Sequence, residues 1–572
     1  MKKTLLYSII LACTVSSIQA QVMPRKVIFT GAARGYFFGD KLEQQTSEID
    51  TTTIPRLNSG HVMADLGTHI RPNAQMEIIG MVRVRNDYGG FWGSGVTFDV
   101  RQLSVRGVIG GVLRYQLGDI DYRMSKLTLW NNDQELYSNM PTAFKQQMDV
   151  INYDHFYGTD NAWRQQGGSA EWGLVFKKWV QELQVQLVTT RNYASNFGNL
   201  SDRLFSGLSA QLVQSKYVAL GFNYVDLYDV SGTSRNSELF HNPVWTSTLA
   251  LSYNKQDWSA QANMEWGKSQ TEIRNSAVAP VIEGNALEAD VVVSNTKLGL
   301  KMHATVRNIS SGFLSPGAQT KRIDFAGRPE AYERVGNDQH IRDYSVMDIM
   351  RESTFYTMQI QPYLMAFDPK YDNITPYGSA TPNRQGMIVG AEWTNTTKTI
   401  QASAEQVMLQ ESRGEGTLKA REFSRTALEV RFENDKKISP TRTWAVEATM
   451  RMDKTEREGT ELYRGVDLAT NSIGLGAEFE LFKKLDVLAG WQLIEYSGFD
   501  FVAQRDQYAQ IINFTEYNVN GRESITAAGL RYRFSENSFL TTQVNLFDVN
   551  DGVTAERDYT LRQVMVLYSI KF

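Results

Sequence analysis

VMVLYSIKF, residues 564–572, closes the chain, and how it is read decides the fold. Every second residue, Val564, Val566, Tyr568, Ile570 and Phe572, is apolar, with Met565, Leu567, Ser569 and Lys571 between them. Alternation of period two marks a strand whose two faces meet different surroundings. Chain ends usually fray. A strand running to the final residue must instead be paired on both sides, or it stands as an exposed edge.

The same alternation recurs along the sequence. In 297–307, KLGLKMHATVR, Leu298, Leu300, Met302, Ala304 and Val306 oppose Lys297, Lys301, His303 and Arg307. In 258–266, Trp258, Ala260, Ala262, Met264 and Trp266 oppose Ser259, Gln261, Asn263 and Glu265. Residues 444–452 and 473–481 repeat the pattern. Such runs are about ten residues long, the length of a tilted strand that spans a bilayer. Their second face is often charged, as a water-filled lumen permits. Trp258, Trp266, Trp444 and Phe572 sit at the ends of apolar faces, where interfacial girdles form.

Bulk composition agrees. The 572 residues include 26 Tyr, 27 Phe and 11 Trp, yet the mean hydropathy is −0.36. Aromatic-rich but polar on average is what two-faced strands produce. Residues 1–20 read as a cleaved signal peptide: Lys2 and Lys3, an apolar stretch, then Ala20 at the cleavage point. The rival reading is a lipoprotein signal acylated at Cys13, the single cysteine. With cleavage after Ala20 the mature chain has no cysteine, which excludes disulfides, thiolate metal sites and cysteine nucleophiles. The formal net charge of −4 gives no reason to expect a nucleic-acid partner.

Links between the alternating runs are unequal. Tight ones fall near 71–74, 109–111, 178–180, 214–216, 254–257, 294–296, 397–399, 482–484 and 535–538. Long polar ones fall at 39–60, 86–96, 120–167, 228–244, 268–285, 308–342, 367–384, 412–423, 454–469 and 497–522. Short turns at one end and long loops at the other are the pattern of a transmembrane barrel. Residues 21–572 are therefore expected to form one all-β domain. It would be a single antiparallel barrel of about 24 strands (22–26 accommodated) with short periplasmic turns and long extracellular loops. The count of 24 requires strands at 343–350 and 354–366, the latter containing Pro362, which lacks a ladder donor. The last strand is expected to close against the first, near KVIFTGAARGYFF (26–38). Closure leaves no unpaired edge in lipid.

The whole of 21–572 resembles a Gram-negative outer-membrane β-barrel of porin type. GNALEADVVVSNTKLGLKMHATVRN (284–308) and RYQLGDIDYRMSKLTLWN (114–131) are similar to barrels of the Bacteroidota. The resemblance implies an integral outer-membrane protein, exported with a cleaved signal, and a terminal strand read by the barrel-assembly machinery. It carries over no functional residue. The first strand starts too soon after residue 20 to expect an amino-terminal plug, and the chain ends on its last strand.

Within the longest loop, 120–167, Phe144, Met148 and Ile151 recur at helical spacing behind Pro141. That segment is read either as a constriction folded into the lumen or as an external helix. Loop 308–342 mixes Lys321, Arg322, Arg328, Arg334 and Arg342 with Asp324, Glu330 and Glu333, and reads as solvated surface. The expected lumen face carries Arg83, Arg85, Arg114, Lys301, Arg307, Arg431, Arg531 and Arg533. It also carries Glu77, Glu265, Glu429, Glu447, Glu478 and Glu480. Set on facing walls, these charges would create a transverse field that selects solutes. Set beside one another, they would be paired wall residues. The six histidines fall in no metal-binding spacing, and DVNDGVTAERD (548–558) misses the calcium-loop register. No cofactor, metal or catalytic residue is expected. The leading functional expectation is a channel for small hydrophilic solutes. The alternatives are a non-conducting subunit of a surface or secretion complex, with lipoprotein or secretion partners, and a lipid passage opening laterally at Pro362.

Overall fold

A computed structural model of the chain describes residues 26–44, 56–88, 96–130, 140–156, 164–319, 346–347, 368–434, 442–460, 465–505, 511–553 and 558–572. Twenty-two strands make one sheet. They begin with β1 (Val27–Gln44), β2 (Arg56–Asn73), β3 (Met76–Asp87), β4 (Val96–Ile109), β5 (Leu113–Asp121), β6 (Arg164–Val175) and β7 (Glu182–Tyr193). There follow β8 (Arg203–Val213), β9 (Val218–Asp229), β10 (Leu239–Lys255), β11 (Trp258–Arg274), β12 (Ile282–Asn295), β13 (Leu300–Ile309), β14 (Arg384–Thr394) and β15 (Ile400–Gln410). The last are β16 (Glu422–Glu433), β17 (Trp444–Arg457), β18 (Val466–Phe482), β19 (Leu485–Arg505), β20 (Ile511–Ser535), β21 (Ser538–Asp551) and β22 (Tyr559–Lys571). Each strand pairs antiparallel with the next, and β22 returns to β1.

The closing seam answers the puzzle of the terminal strand. Lys571 to Tyr559 run beside Ala32 to Gln44. Gly31 N donates to Phe572 O at 2.8 Å, and Phe572 N donates to Gly31 O at 2.9 Å. The ladder is thus made up to the last residue. On β22, Met565 and Leu567 are buried inside, whereas Val564, Tyr568 and Phe572 are exposed outward. The apolar face is the outer one. Across β10 and β11 the outer face carries Tyr253 and Trp258 near the tight turn and an edge-to-face pair, Trp245 and Trp266, further along, with ring centroids 4.9 Å apart. Leu249, Leu251 and Met264 lie between. Two aromatic levels bracketing an apolar band match a lipid-facing wall. No helix among the described residues is long and apolar enough to cross a membrane.

Twenty-two strands, not 24, form the wall. Strand β13 pairs directly with β14, from Leu300 opposite Trp393 to Ile309 opposite Arg384, so no strand stands between them. Of the segment 343–350, Val346 and Met347 are helical and buried in an interior cluster. The expected strand 354–366, with Pro362, lies outside the described residues. The lateral opening expected at Pro362 likewise falls outside the described residues. Strand ends differ too. Strands β19 and β20 run on through most of the link expected at 497–522, paired as far as Arg505 and Ile511. A membrane needs only about ten residues of strand. Beyond that depth both faces are wet, the hydrophobic period fades, and strand reads as loop.

Candidate functional site

Two long links turn into the barrel and pack on its inner face. The first, between β5 and β6, contributes residues 122–130 and helix α1 (Thr142–Phe156). The second, between β13 and β14, contributes 310–319, 346–347 and 368–383, including the short helix α2 (Pro369–Asp372).

Helix α1 meets the wall through its first turn. Phe144 and Met148 are buried with Leu488, Ile494, Ile525, Ala527 and Phe547 of β19–β21. Glycines make the approach close. A Cβ at Gly490 would come within 2.9 Å of the Phe144 ring, and one at Gly476 within 2.7 Å of Pro141. Thr142 Oγ1 donates to Glu478 Oε2 at 2.9 Å, and Gln543 Nε2 donates to Ala143 O at 2.9 Å. Further on, Val150 packs with Tyr36 and Phe38 of β1 and Met565 and Leu567 of β22, so the helix covers the closing seam from inside. At its far end Tyr153 donates its phenol to Asp65 Oδ2 at 2.5 Å. The same carboxylate accepts from Arg83 at 2.7 and 2.8 Å and from Arg101 at 3.3 Å. Both guanidiniums lie over the Tyr153 ring, 5.4 and 4.9 Å from its centroid. The side chain of Ile151 lies outside the described residues.

The second dock is on the opposite wall. Leu127 and Leu129 are fully buried with Phe205, Val225, Phe240, Phe313, Leu314 and Tyr377. Ser315 Oγ donates to Leu127 O at 2.7 Å, and Trp130 N donates to Gly317 O at 2.9 Å, joining the two links to each other. Ser125 donates to Glu265 at 2.5 Å. Lys126 reaches Glu288 at 3.2 Å and Asp290 at 3.4 Å. Partial burial opposes its charge, but these carboxylates outweigh that and raise its pKa above the ordinary lysine value. Near α2, Lys370 Nζ donates to Glu523 at 2.9 Å, and the Tyr371 hydroxyl donates to the same carboxylate at 2.6 Å. Burial opposes the charge of Lys370 as well, and Glu523 with Asp368 again carries the balance upward.

The sequence-derived lumen charges all share a face with these contacts, and most pair with close neighbours of opposite sign, whereas Glu265 is held by the Ser125 hydroxyl. Arg307 donates to Glu288 at 2.8 Å, Arg431 to Glu447 at 2.7 Å and Lys301 to Glu392 at 2.7 Å. Arg531 bonds Asp486 at 2.8 Å and also Glu478; Arg533 bonds Glu480 at 3.0 Å and Asp486 at 2.8 Å. Glu77 accepts from Arg71 at 3.0 Å and Arg106 at 2.6 Å, and Arg85 donates to Asp87 at 2.8 Å. Arg114 stands opposite Glu171, and Glu429, buried, opposite Thr449. Local pairing cancels charge where it stands, so these pairs set up no opposed belts. Lys301 and Glu392, each half-exposed, and Arg533 leave charge in contact with water near the tight-turn end.

Sequence reading passed over Asp65, Arg101, Tyr153, Lys126, Glu288 and Asp486. Asp65 and Glu288 do carry the signal of the inner face, since they alternate with outward Leu66 and Leu287. What marks them as anchors is the loop residue each meets, and no local pattern shows that. Of loop 308–342, residues 310–319 lie inside the barrel rather than on a solvated surface, and its charged stretch lies outside the described residues.

No protein-family model matches the chain, and no curated protein matches it. Among solved structures, it is similar to OccK8 (OprE) of Pseudomonas aeruginosa at 8% identity and a TM-score of 0.37, covering 96% of this chain and 98% of that one. It is similar to the P pilus usher (PapC) translocation pore at 8% identity and a TM-score of 0.36, covering 95% and 99%. Pseudomonas aeruginosa OpdO matches at 7% identity and a TM-score of 0.36, covering 96% and 98%. The closed barrel rests on its own ladder of paired strands.

Proposed function

We propose that the protein is an integral outer-membrane channel for small hydrophilic solutes, narrowed from within by its two inserted links. The carrying observation is the combination of a closed wall, apolar outside and polar inside, with α1 and 310–319 packed on the inner face. The contacts of α1 at Gly490, Gln543 and Gln563 fall part-way along their strands, so the helix crosses the lumen inside the barrel rather than capping its mouth. Residues 1–20 act as an export signal removed on the way. The terminal strand, Val564 to Phe572, is the part presented to the assembly machinery, and outer-membrane lipids surround the apolar band. The work is geometric, a matter of bore and wall chemistry, and no catalytic residue takes part.

Single-channel currents in a planar bilayer test this, with the wild type beside a deletion of 131–165. Wild-type conductance that rises on deletion supports a channel with that link as its constriction. Silence from both proteins rejects the channel. A second reading has its own observation: Phe197, Leu418 and Ile512 expose apolar side chains at the long-loop end. They suit a barrel that docks a protein partner in a surface or secretion complex. Pull-down from cross-linked cells, lost when these three residues become Ser, would favour it.

A further inference from the structure

We propose that α1 is a displaceable gate, and that the path it uncovers is lined by amides and hydroxyls and takes uncharged, hydrogen-bonding solutes of the polyol or sugar class. The inference rests on the channel reading and deepens it.

The first support is how α1 is seated. Gln146 Oε1 on α1 and Gln543 Oε1 on the wall beneath it are buried with no hydrogen-bond partner among the described residues. A buried polar atom without a partner carries an uncompensated desolvation cost. Displacing the helix would admit water and relieve it, so the docked state is held close to balance. The holding contacts at the two ends are single side chains, the Phe144 ring in the notch at Gly490 and the Tyr153 phenol on Asp65, and between them Met148 and Val150 pack on the wall and Gln147 reaches Gln563. On its remaining surface Lys145 and Asp149 face water and pair with each other at 2.8 Å.

The second support is what lies underneath. Ser472, Gln492, Thr541, Gln543, Asn545 and Gln563 form a track across β18–β22, interrupted at β20 by Ala527 and Gly529. Gln492 Nε2 donates to Ser472 Oγ at 2.5 Å, Gln543 Nε2 to Asn545 Oδ1 at 2.6 Å, and Asn545 Nδ2 to Gln563 Oε1 at 2.9 Å. Gln147 of α1 joins the track through Gln563 at 3.3 Å. No residue of the track is charged. Amides and hydroxyls both donate and accept, and they can trade their mutual bonds for those of a polyol without leaving an ion unpaired. Most charged wall residues on either side are neutralised in pairs; the carboxylate that borders the track is the buried Asp40, opposite Gln563.

Cross-linking tests the gate. A Cβ at Gly490 would stand 3.2 Å from the Ala143 Cβ, near the roughly 3.8 Å of a disulfide, and the chain's single cysteine is Cys13. The double variant Ala143→Cys with Gly490→Cys should stop opening when oxidised and regain it on reduction. Tyr153→Phe, which removes one hydrogen bond to a carboxylate and no packing, should raise opening frequency roughly tenfold. Proteoliposome swelling tests the solute class: through Tyr153→Phe, sorbitol should enter several-fold faster than gluconate.

If the oxidised variant opens like the wild type, α1 is not the gate and the proposal falls, while a deletion of 131–165 that conducts leaves the channel standing. The proposal also falls if only the deletion conducts, because α1 is then a fixed plug. Gluconate entering as fast as sorbitol overturns the solute class. A silent deletion removes the channel reading and the gate together.

Discussion

The two inserted bodies are docked in different ways. On β7–β13, residues 122–130 and 310–319 hold one another as well as the wall, by apolar burial around Phe313 and Leu127 and by hydrogen bonds between the links. Backbone lies against wall backbone there: a Cβ at Gly284 would meet Phe313 N at 2.1 Å. On β18–β3, α1 touches the wall with side-chain tips, over amides left partly unsatisfied. A close-packed contact of backbones has no cheap way to shift, whereas a ring in a notch can swing. One barrel thus holds a fixed insert and a poised one, and the difference lies in what was buried rather than in how much.

That contrast can be broken at several places. Phe313→Ala empties a fully buried site and should cost about 3–5 kcal/mol, seen as a lower urea midpoint for loss of the compact gel band; an unchanged midpoint would deny the fixed dock its role. Asp65→Ala leaves Arg83 and Arg101 without their shared carboxylate inside the wall. A loss of about 3–5 kcal/mol is expected, together with more frequent opening, and stability loss without any change in current would detach this cluster from α1.

The glycines sharpen the comparison. Gly284→Ala drives a methyl into backbone and should destabilise by about 1–3 kcal/mol. Gly490→Ala meets side-chain atoms alone, the movable Phe144 ring and the Ala143 methyl, and should cost less while raising conductance; equal costs would erase the distinction between the docks. Smallest of all, Asp149→Ala removes an exposed i,i+4 pair on α1 and should change stability by only about 0.3–0.5 kcal/mol.

Much of the wall was legible beforehand. Alternation is written into each strand by the two media it separates, so the outward Val564, Tyr568 and Phe572, and the inward positions of Glu77, Arg307 and Arg531, follow from period two alone. The count was not legible in the same way. Residues 343–350 and 354–366 were read as two strands, but Val346 and Met347 face a buried interior cluster, and apolar residues turned to a protein interior look in sequence like those turned to lipid. The extensions of β19 and β20 were missed for the reverse reason: water on both faces removes the period.

By itself, then, the sequence determined that this chain forms a closed antiparallel β-barrel whose last strand pairs with its first, because each strand records locally which of its faces is apolar and which is polar. Only the tertiary structure decided that 22 strands close the wall, that most lumen charges cancel in neighbouring pairs, and that α1 rests on Gly490 and Asp65. Those outcomes depend on contacts between residues far apart in the chain, such as Tyr153 with Asp65 and Ala143 with Gln543, and no short stretch of sequence records which distant residue it will meet.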